Sequence, residues 1–290
     1  MSDAKIRPIK SLGQNFLKDR GVAEKILSES GISKNDAVFE IGPGTGALTD
    51  LLVSRAGFVA AVEIDKYLMP KLKKRFSDRR NLFLLNGDIL DLDFSNGIDT
   101  ALSAKAGDEY PGRPAGTGPY KIVANLPYYI TTPIVMKLLE ELPEPVQMTF
   151  MVQKEVAQRM AAAPGGKDYG VLSVAVQYYC SPEILFIVPP GCFDPKPEVD
   201  SAVIRLKPYV ESPVRTTDKA LFFKTVRAAF AQRRKTLQNA LGNSGITGLD
   251  KNGIAEMLRR LGIPDMARGE TLSIEQFATL ANEICRNKNR

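Results

Sequence analysis

A glycine-rich turn between a short apolar segment and a helical pattern restricts the fold of this chain more than any other feature. Residues 37–41 (AVFEI) predict a buried strand, and the run GPGTG at 42–46 opens a helix. Glycines at such a turn let the backbone approach a ligand closely, and the helix N-terminus favours negative charge. Gly42, Gly44 and Ala47 also fit the loose spacing of a dinucleotide-binding turn, so several nucleotide cofactors remain open.

The next two predicted strands, 58–62 and 82–85, also end in polar turns. Glu63 follows the first of them, 21 residues after Gly42, and this is the spacing at which a carboxylate meets the ribose hydroxyls of a nucleotide. Asp88 follows the second strand and can accept a hydrogen bond from an adenine amino group. Because three successive strands end in a candidate polar contact, the sequence predicts an α/β fold that binds a nucleoside-type cofactor.

A fourth predicted strand, 121–124, runs into Asn125-Leu126-Pro127-Tyr128. Pro127 has no N–H group and ends the strand ladder, which leaves an amide, backbone carbonyls and an aromatic ring at a strand's carboxyl end. The Asn125 oxygen and a carbonyl can accept both hydrogens of an NH2 group on a planar substrate, while Tyr128 stacks on its face. Taken alone, this tetrapeptide is equally compatible with a plain strand followed by a Pro-Tyr turn.

The composition excludes several classes of protein. The 290 residues include no histidine, which removes His-based triads, His general bases and most transition-metal sites, so no metal is expected. The three cysteines form no C-x-x-C pair, which indicates a reduced compartment. No apolar run is long enough to span a membrane, and the N-terminal MSDAKIRPIK has no apolar signal core. A cytoplasmic protein without a membrane partner is therefore predicted.

The net charge of +6 is located entirely in the C-terminal part of the chain. Residues 1–210 carry 25 Lys+Arg and 25 Asp+Glu, whereas residues 211–290 carry 14 and 8. Apolar residues in the second segment recur at helical spacing, and Ser273-x-x-Gln276 has the form of a capping box. This asymmetry indicates a nucleic-acid partner, with a solvated helical surface as the alternative.

The other segments complete the predicted α/β part. Further strands are predicted at 146–152, 171–180, 183–188 and 201–206. Further helices are predicted at 20–30, 133–141 and 153–162. Residues 94–120 are rich in Gly and Pro and predict a mobile surface loop, which either contacts RNA or is an inert insertion. Gln14 and Asn15, beside apolar Phe16 and Leu17, either form a local turn or bind a ligand.

The chain resembles a known family in an ordered set of segments. These are GQNFL (13–17), FEIGPGTGALT (39–49), AVEID (61–65), NGDIL (86–90), NLPYYI (125–130), FDPKPEVDSAV (193–203) and FAQRRKTLQNAL (230–241). In this order they resemble the KsgA/RsmA family of S-adenosylmethionine-dependent rRNA adenine N6,N6-dimethyltransferases. SIEQF (273–277) extends the resemblance over nearly the whole chain, but the segment 94–120 is longer than the family pattern leads one to expect.

The resemblance implies a fold and a division into domains. Residues 1–210 are expected to form a Rossmann-like class I methyltransferase domain, α/β in class, with a mostly parallel sheet of about seven strands and a surface insertion at 94–120. Residues 211–290 are expected to form a small all-helical domain that binds RNA.

The resemblance also implies residue roles. It assigns contacts to S-adenosylmethionine, which becomes S-adenosylhomocysteine, to Gln14, Asn15, Leu17, Gly42, Gly44, Glu63, Ile64, Asp88, Ile89 and Asn125. The catalytic turn is Asn125, Leu126, Pro127 and Tyr128, and Phe193 is assigned to close the other face of the target base, with burial of this loop aromatic in the core as its alternative. Arg233, Arg234 and Lys235 are assigned to rRNA phosphates, although by composition alone a charged helix face is the commoner explanation.

Four functions remain open from the sequence. The resemblance implies dimethylation of two adjacent adenosines near the 3′ end of small-subunit rRNA, by a monomer acting within a pre-30S particle. The alternatives are a large-subunit rRNA methyltransferase of the antibiotic-resistance type, a non-enzymatic ribosome-assembly factor, and a Rossmann dehydrogenase. The NLPY segment and the basic tail argue against the dehydrogenase, and the complete set of cofactor residues argues against a non-enzymatic factor.

Overall fold

The chain folds into two compact units, each formed from two stretches of sequence. The computed structural model describes residues 13–143 and 146–288. The first unit contains residues 1–157 and 182–208, and the second contains residues 158–181 and 209–290. The sequence analysis assigned 158–181 to the catalytic part, whereas the contacts of this stretch place it with the C-terminal helices.

Nine strands and eleven helices are described within these residues. The strands are β1 (Phe16–Leu17), β2 (Ala37–Ile41), β3 (Phe58–Glu63), β4 (Leu82–Asn86), β5 (Tyr120–Asn125), β6 (Met148–Gln153), β7 (Cys180–Val188), β8 (Phe193–Asp194) and β9 (Ser201–Pro208). The helices are α1 (Arg20–Ser30), α2 (Ala47–Arg55), α3 (Met69–Arg75), α4 (Ile98–Ala106), α5 (Thr131–Glu141), α6 (Lys154–Ala161), α7 (Val171–Tyr179), α8 (Lys219–Phe230), α9 (Leu237–Ser244), α10 (Lys251–Arg260) and α11 (Ile274–Lys288).

Seven strands form a mostly parallel sheet in the order β4-β3-β2-β5-β6-β9-β7. The strands β4, β3, β2, β5 and β6 are parallel, and β9 pairs antiparallel to β6. Every residue of β2 and β3 is buried, as expected for central strands covered on both faces. The chain moves outward from β2 to β4 and then returns to the other side of β2 with β5. The reversal places a crevice at the carboxyl ends of β2 and β5, where ligands bind in such sheets.

The predicted loop at 94–120 contains a helix. Ile98, Ala101 and Leu102 recur at helical spacing and are buried in α4, and Phe94 before them is fully buried. The Gly and Pro residues are concentrated after this helix, at 107–119, and they dominated the composition of the whole segment. A mobile loop across 94–120 is therefore a wrong expectation for its first half, because those apolar side chains pack instead of facing solvent.

The predicted strand at 171–180 is also wrong, since residues 171–179 form α7. Its run VLSVAVQYY is rich in valine and buries most of its side chains, and a helix buried on nearly all sides has no polar face to reveal its period. The Ser173 hydroxyl accepts a hydrogen bond of 3.0 Å from the Gly170 N–H and so caps the first turn.

The second unit is helical, as the sequence predicted for its C-terminal part. Side chains of Asp218, Thr236 and Asp250 cap the N-termini of α8, α9 and α10. The capping box at Ser273 and Gln276 is confirmed, because each side chain accepts a hydrogen bond from the other residue's backbone N–H, at 2.9 and 3.3 Å. None of the helices described is long and apolar enough to cross a membrane.

Candidate cofactor and substrate cleft

A cleft opens in the first unit at the carboxyl ends of β2, β3 and β5. It is lined by the segment 13–17, the glycine-rich turn, the end of β3 and the turn 125–129, and it holds about 750 Å³ of empty space including its open mouth. A second, smaller cleft adjoins it and shares four lining residues, namely Gly42, Ile64, Pro127 and Tyr129. The structure thus brings together most of the residues that the sequence selected.

The glycine-rich turn requires glycine at three alternate positions. Gly42, Gly44 and Gly46 have φ angles of 68°, 59° and 87°, in the left-handed region that disfavours residues with a Cβ atom. A Cβ atom at Gly44 would also lie 3.1 Å from the Phe16 ring. The turn can therefore lie flat beneath the segment 13–17, with its backbone open to a ligand.

Glu63 is held at the end of β3 by two backbone N–H groups. Its carboxylate oxygens accept hydrogen bonds from Gly44 at 2.9 Å and from Asp65 at 2.8 Å, and the side chain is only 4% exposed. Burial raises the pKa of Glu63 although both hydrogen bonds act in the opposite direction. The two bonds fix the carboxylate on the wall of the cleft, where it can accept from a pair of adjacent hydroxyl groups.

The adjoining cleft is lined by the residues that the sequence assigned to an adenine ring. Ile64, Asp88 and Ile89 all face it, and Ile89 is buried whereas Ile64 is 43% exposed. One Asp88 oxygen accepts a 2.9 Å bond from the Leu90 N–H, which fixes the side chain at the rim. A flat ring between two isoleucines, with a carboxylate at its edge, would be complementary to this cleft.

The segment 13–17 is anchored over the larger cleft at several points. The Gln14 amide donates to Asp65 at 3.0 Å, and β1 pairs antiparallel with β8, so that Leu17 lies opposite Phe193. Leu17 is buried, and a Cβ atom at Gly13 would lie 3.0 Å from the Tyr129 ring. Gln14 therefore reaches beyond a local turn, whereas the Asn15 side chain donates to the nearby Gly13 carbonyl at 3.2 Å. Sequence reasoning missed Asp65, whose position directly after the strand-end pair Glu63-Ile64 was the available signal.

The orientation of the Asn125 amide follows from a hydrogen bond to the segment 13–17. Its Nδ2 donates to the backbone carbonyl of Asn15 at 3.0 Å, which leaves Oδ1 as an acceptor on the cleft side. In the same turn the Pro127 carbonyl accepts from Ile130 N–H and the Thr131 hydroxyl. The Leu126 carbonyl accepts no hydrogen bond from the described part of the chain. The turn thus presents two free oxygen acceptors next to each other.

Tyr128 lines the same cleft and is fixed by a residue that the sequence analysis did not select. Its hydroxyl lies 2.7 Å from the hydroxyl of Ser201, which is fully buried at the start of β9. Burial raises the pKa of Tyr128, so the ring stays neutral at physiological pH. Ser201 lies within the segment 193–203 of the family resemblance, but only the paired sheet positions bring it to Tyr128.

Phe193 does not reach the cleft. It is 1% exposed and packs in the core of the first unit with Leu17, Val188 and Cys192. The structure shows the alternative, burial of this loop aromatic in the core, and the assignment of Phe193 as the second stacking ring stays a prediction. The proline-rich loop positions β8 against β1 and turns the ring inward.

Glu40 is a second buried carboxyl group on the cleft, and the sequence analysis gave it no role. The side chain is 1% exposed, and one of its oxygens accepts a 2.7 Å bond from the Thr49 hydroxyl. Burial raises the pKa of Glu40 to about 8, the Thr49 bond opposes this shift, and the nearby Glu63 charge adds to it. Glu40 is therefore mostly protonated in the folded protein at neutral pH.

This pKa predicts a pH-dependent difference in stability between the wild type and Glu40→Gln. Below the ordinary glutamate pKa of 4.5 both folded and unfolded chains carry a neutral Glu40. Between 4.5 and about 8 only the unfolded chain ionises, so the wild type loses stability as the pH rises, and above about 8 the loss levels off. We expect the stability of Glu40→Gln relative to the wild type to increase across this pH window. Each kcal/mol of this relative increase raises the difference in Tm by about 2–4 °C. Calorimetric melting of both proteins at pH 5, 7 and 9 measures the difference in Tm. A difference that stays constant with pH would contradict the prediction.

The basic cluster lies in the second unit, between α8 and α9. Arg233, Arg234 and Lys235 are all exposed. Arg233 donates to the backbone carbonyl of Lys167 and, at 3.3 Å, to that of Tyr169, which ties it to the chain before α7. The other two side chains form no hydrogen bond or ion pair with the described residues. The cluster thus combines one anchored cation with two that point into solvent.

The donor groups of the two clefts fit a cationic nucleoside cofactor. The linings include the carboxylates of Glu63 and Asp88 besides the mostly protonated Glu40, and they contain no Lys or Arg. A pyrophosphate would meet carboxylates without a balancing cation, whereas a sulfonium and an ammonium group would be favoured there. No group of three or more acidic or cysteine side chains in the described ranges is arranged to hold a metal ion.

The fold and the cleft together define a class I S-adenosylmethionine-dependent methyltransferase. The crystal structure of a dimethyladenosine transferase from Plasmodium falciparum is similar, with a TM-score of 0.76 and 26% identity, over 94% of this chain and 98% of that one. The structure of the 23S rRNA methyltransferase ErmE is also similar, with a TM-score of 0.67 and 26% identity, over 93% of this chain and 100% of that one.

The sequence comparisons narrow the class to one family. The model of the family described as ribosomal RNA adenine dimethylase matches residues 6–286. A ribosomal RNA small subunit methyltransferase A from Alkaliphilus metalliredigens is 47% identical over 97% of this chain and 93% of its own length. The protein of the same name from Clostridioides difficile is 48% identical over 95% of this chain and 90% of its own length. The chain belongs to the ribosomal RNA adenine dimethylase family.

Proposed function

We propose that this protein dimethylates N6 of two adjacent adenosines in a loop near the 3′ end of small-subunit rRNA. S-adenosylmethionine is the methyl donor and S-adenosylhomocysteine the product. The observation that carries the proposal is the hydrogen bonding of Asn125, a residue that lines the cleft: its Nδ2 donates to the Asn15 carbonyl, which leaves Oδ1 available as an acceptor. Relatives that share 44–49% identity bear the name of small-subunit methyltransferases, which favours the small over the large subunit.

The cofactor occupies both clefts in this proposal. Glu63 accepts from the ribose hydroxyls, Asp88 accepts from the adenine amino group, and Ile64 and Ile89 hold the ring. Gly42, Gly44, Asn15 and Leu17 border the methionyl part, and Gln14 holds the segment 13–17 closed through Asp65. When bound, S-adenosylmethionine supplies an electrophilic methyl group on a sulfonium sulfur.

The substrate-side residues act on the adenine amino group. The nitrogen lone pair is delocalised into the ring, so N6 is a poor nucleophile until its geometry changes. Asn125 Oδ1 and the Leu126 carbonyl can accept its two N–H groups and stabilise the positive charge that develops on nitrogen more than the neutral ground state. Tyr128, held by Ser201, stacks on the base, and Pro127 follows the two acceptor residues directly after the end of β5.

No strong general base is needed in this scheme. The proton on N6 becomes acidic once the methyl group has been transferred, which is compatible with a chain that has no histidine. The base must leave its stack to enter the cleft, and this favours an adenosine in a loop or hairpin end. We place the activity in the cytoplasm, with a monomer acting on a pre-30S particle.

Radiolabelled methyl transfer tests the proposal. Small and large ribosomal subunits from cells that lack this methylation are incubated separately with the protein and labelled S-adenosylmethionine. Label is expected only in small subunits, as dimethyladenosine. Label confined to large subunits would overturn the choice of substrate, and label in neither would favour an assembly factor that kept the fold.

The basic cluster yields a separate prediction about RNA affinity. We expect Arg234→Ala to weaken binding to small subunits and to reduce the slope of log K against log salt by about 0.7–0.9, the value for one lost phosphate contact. Arg215→Ala, an exposed arginine at the other end of α8, is the charge-matched control and should leave the slope unchanged. Filter binding over a salt series measures both. Equal slopes for Arg234→Ala and the wild type would indicate that Arg234 belongs to a solvated surface and contacts no rRNA phosphate.

A further inference from the structure

The neutral charge balance of residues 1–210 hides one strongly basic segment. Residues 66–80 contain seven Lys or Arg and a single acidic residue, Asp78. The rest of 1–210 carries 18 Lys+Arg and 24 Asp+Glu, so this segment lies within an otherwise acidic unit. Its basic side chains, which we call the α3 basic surface, are Lys66, Lys71, Lys73, Lys74, Arg75, Arg79 and Arg80.

The surface is carried by a helix with two sharply different faces. Leu68, Met69, Leu72 and Phe76 are buried together, and Phe16 packs against them. All seven cations of the surface are exposed, and four of them, Lys71, Lys73, Lys74 and Arg75, lie in α3 itself. The buried face holds α3 in place, so the cations are presented on a fixed support.

Several of these cations have no acidic partner within the described protein. Arg75 pairs with Asp50, and Arg79 lies 3.9 Å from Asp78. Across the described residues, no carboxylate lies within ion-pair distance of Lys73, Lys74 or Arg80. A solvated helix face usually mixes both signs of charge, whereas this one leaves like charges side by side. An external polyanion would relieve that repulsion.

The surface is connected to the cofactor cleft. The Arg75 guanidinium donates to the backbone carbonyl of Thr45 in the glycine-rich turn, and a Cβ atom at Gly46 would lie 2.9 Å from the Phe76 ring. A groove beside this end of α3 is lined by Lys18, Arg20, Arg75 and Arg79 among its side chains. The groove and the cleft share the lining residue Ala47, which directly follows the glycine-rich turn.

At the other end of α3 an aromatic residue is exposed next to the cleft. Tyr67 is 69% exposed, and the Lys66 ammonium lies 5.4 Å from the centre of its ring. It follows Ile64, which lines both clefts, by three residues. Cations interleaved with an exposed aromatic ring are typical of surfaces that bind single-stranded nucleic acid, since bases stack on the ring while phosphates meet the cations.

We infer that the α3 basic surface binds the phosphate backbone of the rRNA strand that flanks the target adenosines. This inference rests on the proposed function and adds a second RNA contact, on the catalytic unit itself. An anionic membrane is the less suitable partner, because an interfacial helix inserts an apolar face and the apolar face of α3 is already buried. Phosphates held on α3 would fix the strand relative to Asn125 in the same unit.

A pair of double variants tests the inference. Lys73→Ala/Lys74→Ala removes two unpaired cations of the surface. Lys34→Ala/Lys207→Ala removes two exposed lysines near the amino ends of the parallel strands, before β2 and near the end of β9. Binding to unmethylated small subunits is measured over a salt series for both variants, together with steady-state methyl transfer. The first variant should reduce the salt slope by about 1.4–1.8, the value for two contacts. It should raise KM for the subunit, with kcat unchanged at saturation, and the control should match the wild type.

The remaining outcomes separate the inference from the proposed function. An unchanged slope for Lys73→Ala/Lys74→Ala, with normal methylation by the wild type, overturns the inference and leaves the function intact. Equal losses in both variants would mean that only net charge matters, which also overturns it. Binding to anionic vesicles that is lost only in the first variant, with unchanged binding to subunits, assigns the surface to a membrane and rejects RNA. Failure of the wild type to label any subunit rejects the function and the inference with it.

Discussion

Replacing Asn125 with alanine is expected to reduce kcat for methyl transfer by at least about 10²–10³-fold, the usual cost of losing one preorganised hydrogen-bonding group in a transition state. The variant loses Oδ1, which the proposal assigns to the adenine amino group. It also loses the donor to the Asn15 carbonyl, so the affinity for S-adenosylmethionine should fall, but by a smaller factor. Single-turnover transfer to small subunits and calorimetric titration of the cofactor measure the two effects separately.

A matched variant distinguishes the two roles of Asn125. Gln14→Ala removes the bond to Asp65 and loosens the same segment 13–17 without touching the substrate side. It should weaken cofactor binding and leave kcat at saturating cofactor close to that of the wild type. Wild-type turnover by Asn125→Ala would refute the acceptor role. An equal loss of kcat in both variants would assign the effect to the covering segment instead of the amide oxygen.

Replacing Glu63 with alanine is expected to weaken the binding of S-adenosylmethionine by about 10²–10⁴-fold. Two hydrogen bonds from ribose hydroxyls to a carboxylate contribute about 1.5–3 kcal/mol each, and both would be lost. The substitution also frees the N–H groups of Gly44 and Asp65 that the carboxylate now accepts, so the glycine-rich turn loses a support. Calorimetric titration of the cofactor measures the loss, and a melting curve of the free protein measures the damage to the turn.

Two further variants make the Glu63 result specific. Glu63→Gln keeps one acceptor oxygen and the shape of the side chain, so its loss of affinity should be intermediate. Asp88→Ala removes a single contact at the rim and should cost less than Glu63→Ala. An affinity of Glu63→Ala within about threefold of the wild type would show that the carboxylate does not meet the cofactor. Equal losses in Asp88→Ala and Glu63→Ala would contradict a paired contact to the ribose.

The sequence determined the class of fold because local signals and their order were sufficient for it. Strands that end at or just before Gly42, Glu63, Asp88 and Asn125 specify a parallel sheet with its candidate ligand contacts at one edge. The cofactor cleft follows directly, since neighbouring parallel strands bring their carboxyl ends together. The absence of histidine and the basic character of the C-terminal segment could also be determined directly from the sequence. All of these are properties of composition or of a few consecutive residues.

Tertiary packing decided what the local signals left open. Residues 171–179 form a helix whose side chains are mostly buried. Because the segment has no polar face, its sequence shows no helical periodicity. Phe193 turns into the core because β8 pairs with β1, residues far apart in the chain. Long-range pairing also places Ser201 on Tyr128 and Asn15 on Asn125, and burial, with the nearby charge of Glu63, raises the pKa of Glu40. Contacts between distant residues and exclusion of water are features of the folded chain, so no local pattern can carry them.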